Sequence, residues 1–142
     1  MLDRAAIEAL VPHAGTMCLI DEVERVDTTH IVCVSRQHLS MDNPLRRDGR
    51  LSAVHAIEFA AQAAALHGAL CLSTHSPPRA GMLVSVRGCR LHVGTLDEAV
   101  GALRIEARRT AAAKSLASYE FDVSSQGGRV ADGRLGVHTE PV

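Results

Sequence analysis

The stretch Ser52–Ser73, SAVHAIEFAAQAAALHGALCLS, decides the fold. Placed on a helix of 3.6 residues per turn, it has no continuous polar face, and a helix of that kind is buried. At 1.5 Å per residue it would be about 33 Å long, which is enough to cross a small domain. Polar residues interrupt its apolar surface, among them His55, Glu58 and Gln62. Their burial costs free energy unless each has a partner or a purpose.

The rest of the chain predicts strands around this helix. A short helix with its N-cap at Asp3 runs to Leu10 and comes first. Runs of β-branched and alternating apolar residues then predict six strands, at Thr16–Val26, His30–Gln37, Met82–Gly94, Leu103–Thr110, Ser115–Ser124 and Val130–Thr139. Strands segregated from one long helix indicate an α+β fold, with the helix wrapped by an antiparallel sheet of about six strands. No repeat or linker divides residues 1–142, so we expect a single domain.

Composition excludes several classes of protein. Fifteen basic and sixteen acidic residues give a formal net charge of −1, and there are only two Phe, one Tyr and no Trp. A nucleic-acid-binding domain needs a basic face and usually stacking rings, so we expect no nucleic-acid partner. Ser52–Ser73 has the length of a membrane span, but its Glu, its Gln and its two His fit the bilayer poorly, so no span is expected. The N-terminus has no secretory pattern, which favours a cytoplasmic location.

The cysteines and histidines predict no metal or other cofactor. Cys18, Cys33, Cys71 and Cys89 are scattered without a Cys-x-x-Cys pair, and we interpret them as small buried hydrophobes. The eight histidines show no spacing typical of zinc ligands.

Two blocks of sequence resemble the hotdog-fold 3-hydroxyacyl-[acyl-carrier-protein] dehydratases. Residues 11–23, VPHAGTMCLIDEV, resemble the Leu-Pro-His-Arg-x-Pro-x-Leu-Leu-Val-Asp-Arg-Val opening of that family. Residues 43–62, NPLRRDGRLSAVHAIEFAAQ, are similar to a branch associated with aryl-polyene and polyketide-like pathways. Residues 81–93 are also similar to that branch, so the resemblance spans most of the chain. It implies a hotdog fold and dehydration of a 3-hydroxyacyl thioester to a trans-2-enoyl thioester in fatty-acid or polyene-type synthesis.

The resemblance also implies a catalytic pair at the subunit interface of a dimer. In the family, a His precedes the central helix and a carboxylate lies on the helix of the other protomer. The match puts Glu58 at the helix carboxylate and Asn43 at the loop His. Asn binds substrate by hydrogen bonds but accepts no proton near neutral pH. We therefore expect His55 or His13 to replace the missing base; a purely structural role stays open for both, and for Glu58 as a carboxylate across the interface.

The chemistry assigns further roles around the helix entrance. Backbone N–H groups of Ser52, Ala53 and Val54 are expected to bind the developing enolate oxygen, because a helix N-terminus presents free donors. Burial of Glu58 would raise its pKa towards that of a usable acid or base. Gln62, four residues on, lies on the same helix face and is expected to orient it and to contact substrate.

The connector before the helix carries Arg46, Arg47 and Arg50. These are either a solvated charge run or a contact for an acyl carrier protein and the phosphate of its pantetheine arm. We expect a homodimer or a heterodimer with a hotdog paralogue. Two alternative functions stay open: a non-catalytic partner subunit of a dehydratase heterodimer, and a hotdog acyl-thioesterase.

Overall fold

The computed structural model describes residues 2–10, 17–71, 80–113 and 116–140, without the side chains of residues 80–82 and 139–140. Helix α1 spans Arg4–Leu10 and helix α2 spans Ala56–Cys71, preceded by a 3-10 turn at Ala53–His55. Two further 3-10 turns lie at Gln37–Leu39 and Leu96–Glu98. The strands are β1 Glu22–Val26, β2 His30–Ser35, β3 Ala80–Leu91, β4 Leu103–Ala113, β5 Leu116–Ser125 and β6 Gly128–Glu140.

The six strands form one sheet in the order β1-β2-β4-β5-β6-β3, and every neighbouring pair is antiparallel. Helix α2 packs against one face of that sheet and contacts β2, β3, β4, β5 and β6. Its side chains at Phe59, Ala60, Ala63 and Leu66 are fully buried, and the alanines let the strands approach closely. The predicted α+β fold, a central helix wrapped by a six-stranded antiparallel sheet, is confirmed.

The predicted strand at Thr16–Val26 is too long. Regular β1 structure begins only at Glu22, and Met17 to Asp21 run as irregular chain. The reason is a tertiary contact: the side chain of Gln62 on α2 binds the N–H of Leu19 and the carbonyl of Met17 in place of a strand partner. The carbonyl of Leu19 accepts from the hydroxyl of Ser35 and not from a backbone N–H. The helix likewise starts later than predicted, at Ala56, because Ala53–His55 form a 3-10 turn first.

The two edges of the sheet differ. On β1, Leu2 exchanges two backbone hydrogen bonds with Val23, of 3.2 and 3.0 Å, so the N-terminal segment covers part of that edge. Across the described ranges, β3 has β6 on one side and no strand on the other. Leu83, Val86 and Leu91 face the helix side of the sheet yet stay between 36% and 46% exposed. Strand β3 is therefore an open edge strand with exposed apolar side chains. The backbone groups of such an edge can pair with a strand of another chain.

A buried polar cluster ties α2 to the turn between β1 and β2. His67 is fully buried; its Nε2 lies 2.9 Å from the carbonyl oxygen of Asp27, and its Nδ1 lies 2.7 Å from the hydroxyl of Tyr119. A carbonyl only accepts, so Nε2 carries the proton and Nδ1 accepts from Tyr119. Burial lowers the pKa of His67 and raises that of Tyr119 to about 12. The pair is therefore neutral and structural.

Two buried histidines, His67 of this cluster and His38 of the Gln37–Leu39 turn, predict how stability depends on pH. Burial lowers the pKa values of both His67 and His38 below the usual 6.5. Between the lowered and the usual pKa the unfolded chain binds protons that the folded chain does not, so lowering the pH destabilises the fold. We expect the free energy of unfolding, measured with urea, to fall between about pH 7 and pH 5. The His67→Gln variant should show a smaller slope; a flat wild-type profile would contradict this assignment.

Candidate active site

Ser52 is the N-cap of the 3-10 turn that leads into α2. Its hydroxyl accepts a long hydrogen bond of 3.4 Å from the N–H of Val54, and its carbonyl accepts from the N–H of His55 at 3.1 Å. The N–H of Ala53 donates to the carbonyl of Gly94 at 3.1 Å. The expectation that Ala53 offers a free donor is therefore wrong. The N–H of Val54, held only by the long bond to its neighbour, is the better candidate to bind an oxyanion.

His55, at the end of the 3-10 turn, and Glu58, in the first turn of α2, lie side by side. His55 Nδ1 is 2.6 Å from Glu58 Oε2, and the two side chains are 23% and 44% exposed. A carboxylate accepts, so Nδ1 carries the proton and the Nε2 lone pair is left for other chemistry. The condition that Glu58 is buried among its apolar neighbours is not met in this chain, because its side chain is 44% exposed.

Gln62 does not orient Glu58 as predicted. Its Oε1 accepts from the N–H of Leu19 at 2.8 Å, and its Nε2 donates to the carbonyl of Met17 at 2.7 Å. The Gln62 amide thus takes the place of a neighbouring strand, because it binds one backbone N–H and one backbone carbonyl of the irregular segment that starts at Met17. Gln62 is 7% exposed and holds that segment against α2.

An apolar cavity of about 250 Å³ begins beside Glu58. Glu58 and Gln62 are its polar lining; the apolar lining comes from five parts of the chain, namely Met17, Leu19, Leu45, Ala61, Ala65, Leu83 and Val137. Ala61 and Ala65 lie one helical turn apart and leave room where larger side chains would fill the space. The volume is near the lower end for small-molecule sites. The cavity suits an apolar chain whose reactive end faces a carboxylate.

The side chain of Asn43 is hydrogen-bonded within its own loop. It is 6% exposed; its Nδ2 donates to the carbonyl of Gln37 and its Oδ1 accepts from the N–H of Leu45, both at 2.9 Å. Its side chain therefore shapes the connector that carries Leu45 to the cavity. A proton-accepting role is excluded by its amide chemistry.

The three arginines of the connector have different environments. The Arg46 guanidinium donates to the carbonyls of His38 and Ser40 at 2.6 and 2.8 Å and pairs with Asp97 at 2.7 Å. The expected solvent-facing role does not fit Arg46, whose side chain is 8% exposed. Arg47 and Arg50 close a tight turn by mutual backbone bonds and are exposed. They alone of the three present a free cationic surface.

Three further expectations concern His13, metal binding and a membrane span. His13 lies outside the described residues. Among the residues that the structure describes, no group of three or more His, Cys, Asp or Glu has the geometry to hold a metal ion. In the same ranges, every helix is too short or too polar to cross a membrane. Sequence reasoning missed Leu83 and Val137, which reach the cavity only through the pairing of β3 with β6.

A long helix wrapped by this antiparallel sheet is the hotdog fold, and solved structures match it. A chain of the dehydratase heterocomplex ApeI:P from Xenorhabdus doucetiae has a TM-score of 0.78 at 24% identity, covering 94% of this chain and 90% of that one. AziG from S. sahachiroi gives 0.64 at 17%, covering 94% and 99%. A thioesterase from Haemophilus influenzae gives 0.67 at 12%, covering 99% and 92%. At these identities the matches show the shared fold.

The sequence itself narrows the class. Residues 5–141 match the model of the ApeP-like family, described as ApeP dehydratase. No curated protein sequence matches the chain. Because the family model covers nearly the whole chain, the protein belongs to the ApeP-like dehydratase family, which bears out the dehydratase resemblance and the expected hydro-lyase class.

Proposed function

We propose that this protein removes water from a 3-hydroxyacyl thioester carried on an acyl carrier protein, giving the trans-2-enoyl thioester in fatty-acid or polyene-type synthesis. The observation that carries the proposal is the 2.6 Å contact between His55 and Glu58, because Glu58 also lines the apolar cavity. Membership of the ApeP-like dehydratase family supports the same reaction class. No cofactor is required, because the elimination needs only acid, base and oxyanion-binding groups.

The proton transfers follow from the orientation of the pair. Glu58 accepts from Nδ1–H of His55, fixes the ring and balances the positive charge that forms on it. Nε2 then takes the proton from C2 of the substrate. The electron pair of the C2–H bond forms the double bond, the C3–O bond breaks, and the proton on Nε2 leaves with the hydroxyl as water. One histidine thus serves first as base and then as acid, in place of a loop His at Asn43.

The thioester oxygen, the acyl chain and the pantetheine phosphate of the substrate each have a proposed binding group in the protein. During the reaction negative charge develops on the thioester oxygen, and the N–H of Val54 at the helix entrance is the proposed donor to it. The acyl chain occupies the cavity along Ala61 and Ala65. Arg47 and Arg50 follow Leu45 on the same connector and are the proposed contacts for the pantetheine phosphate or the acidic carrier protein.

A rival function has its own supporting observation. Asn43 stands where the family resemblance puts the catalytic His, and its amide is taken up by the loop. This favours a non-catalytic subunit that completes an active hotdog paralogue. The thioesterase alternative needs only a base for water near the ester, and Glu58 is placed for that as well. The three functions differ in whether substrate loses water, loses its acyl group or stays intact.

Substitutions at the pair test the mechanism. Glu58→Gln removes the charge that orients His55, and His55→Ala removes the base, so each should lower the rate of water loss by about 10²–10⁴. The double variant should lose little more than either single one, because the two side chains act as a unit. Glu120→Gln is the matched control, since Glu120 is 40% exposed and lies on the outer face of the sheet. Full turnover by either single variant, with the fold intact by circular dichroism, would contradict this mechanism.

The cavity predicts how chain length is selected. Ala65→Phe should fill the end distal to Glu58 and lower kcat/KM for decanoyl relative to butanoyl 3-hydroxy substrates by about tenfold or more. Ala69→Phe, on the same helix but outside the cavity lining, is the control and should leave the ratio unchanged. An unchanged ratio for Ala65→Phe would place the acyl chain elsewhere.

A further inference from the structure

Two arginines on the outer face of the sheet form a pair without a counter-charge. Arg87 of β3 lies directly opposite Arg134 of β6, and both side chains are exposed. Like charges directly opposite each other in a sheet are destabilising. Within the described chain, neither arginine has a carboxylate at ion-pair distance; Glu120, the next residue in that row, is bonded to Arg108 at 2.5 Å. This arginine pair is therefore a candidate for binding an anion from solution.

The arginines of the neighbouring row are already neutralised. Arg90 pairs with Asp132 at 3.2 Å, and Arg129 lies 3.0 Å from Asp122 and 3.2 Å from Asp132. The two aspartates face each other across β5 and β6, so Arg129 bridges two opposed carboxylates. Positive charge is thus compensated at these positions and left uncompensated at the arginine pair.

The row on the other side of the arginine pair has no large side chain. In that row, Gly136 of β6 lies between Ser85 of β3 and Ser118 of β5. These residues share the outer face with the arginine pair, because alternate residues of a strand point to the same face. A Cβ added at Gly136 would lie 2.6 Å from Oγ of Ser85, so this hydroxyl lies over the glycine. The result is a low floor flanked by two hydroxyl groups, which are hydrogen-bond donors.

Towards the neighbouring row, the arginine pair lines an open trough of about 890 Å³. The trough is polar, and four carboxylates lie along it, namely Glu106, Glu120, Asp122 and Asp132. Carboxylates accept hydrogen bonds from hydroxyl groups. They would repel a broad anionic surface such as a layer of lipid headgroups. The trough therefore suits a small hydroxyl-rich molecule with one compact anionic group.

We propose that the arginine pair, together with Ser85 and Ser118, binds the phosphate group of a soluble phosphorylated polyol such as a sugar phosphate. The two guanidinium groups balance the two charges of the phosphate dianion, and the two hydroxyls donate to its oxygens. Gly136 leaves the space for the phosphate, and the polyol lies in the trough with its hydroxyls donating to the carboxylates. The acyl cavity lies on the helix side of the sheet, so this site is separate from the proposed catalytic pair.

Calorimetric titration of the full chain with inorganic phosphate and with glucose 6-phosphate tests the site. Each should bind as a single molecule per chain, and glucose 6-phosphate should bind more tightly, because only it reaches the trough. Arg87→Gln and Arg134→Gln each remove a charged donor and should weaken both ligands by at least about tenfold. Arg134→Lys keeps the charge but loses the planar fork, so its affinity should lie between those of wild type and Arg134→Gln.

The matched control is Arg104→Gln. Arg104 is also an exposed arginine of the sheet, but it is paired with Glu24 and does not line the trough, so this variant should bind both ligands as wild type does. All the substituted side chains are exposed, and circular dichroism should show an unchanged fold. Unchanged affinity in both glutamine variants of the arginine pair, or no binding of glucose 6-phosphate by wild type, would overturn the proposal.

Vesicles that contain phosphatidic acid distinguish the source of the phosphate. Phosphatidic acid carries the same phosphate monoester on a membrane surface, and we expect no binding to these vesicles in sedimentation. Binding to vesicles in place of glucose 6-phosphate would overturn the assignment to a soluble ligand. The readout is binding, so the result is independent of whether the protein dehydrates its substrate.

Discussion

The side-chain amide of Gln62 is the interaction on which the candidate site depends. It stands in for two strand-to-strand hydrogen bonds by accepting from Leu19 and donating to Met17. An amide is the side chain suited to this, because it supplies one donor and one acceptor in a single plane. The segment that it holds forms one wall of the cavity, and the helix face that it occupies also carries Glu58 and Ala65. Without the amide, the buried N–H of Leu19 and the partly buried carbonyl of Met17 would lose their partners.

The central helix explains why such a site exists at all. Because α2 is apolar around its circumference, the sheet wraps it closely, and each polar residue on it must be satisfied or exposed. His67 is satisfied by Tyr119 and the turn before β2, and Gln62 by the irregular segment. His55 and Glu58 are different: they pair with each other near the surface, where a substrate can reach them. His67 and Gln62 are therefore structural polar residues, whereas His55 and Glu58 are the candidate catalytic ones.

The sequence predicted much of the fold because its signals were local. The largely apolar stretch Ser52–Ser73 indicated a buried helix, and alternation along Leu103–Thr110 and Ser115–Ser124 indicated two half-buried strands that are present. The predicted strand from Thr16 failed because its hydrogen bonds go to Gln62, a contact 43 residues distant that no local pattern encodes. The sequence left open whether Glu58 is buried among its apolar neighbours, and the structure leaves its side chain 44% exposed and lining the cavity.

For the candidate site, the sequence predicted the types of residue better than it predicted their contacts. His55 and Glu58 were on one helix face by their spacing, and the structure joins them. Asn43 and Arg46 were assigned to substrate and carrier protein from their position, whereas hydrogen bonds to Gln37 and His38 commit them to the connector. Leu83 and Val137 line the cavity because β3 pairs with β6 in one register, and register depends on the whole sheet.

The central claim is that the His55–Glu58 pair makes this chain a dehydratase without a loop histidine. The most direct measurement is the mass of the acyl group on a 3-hydroxyacyl carrier protein after incubation with the pure protein alone. We expect the loss of one water with the thioester retained. An acyl group that stays intact would support the partner-subunit function, and release of the whole acyl group would identify a thioesterase; either result would contradict the account.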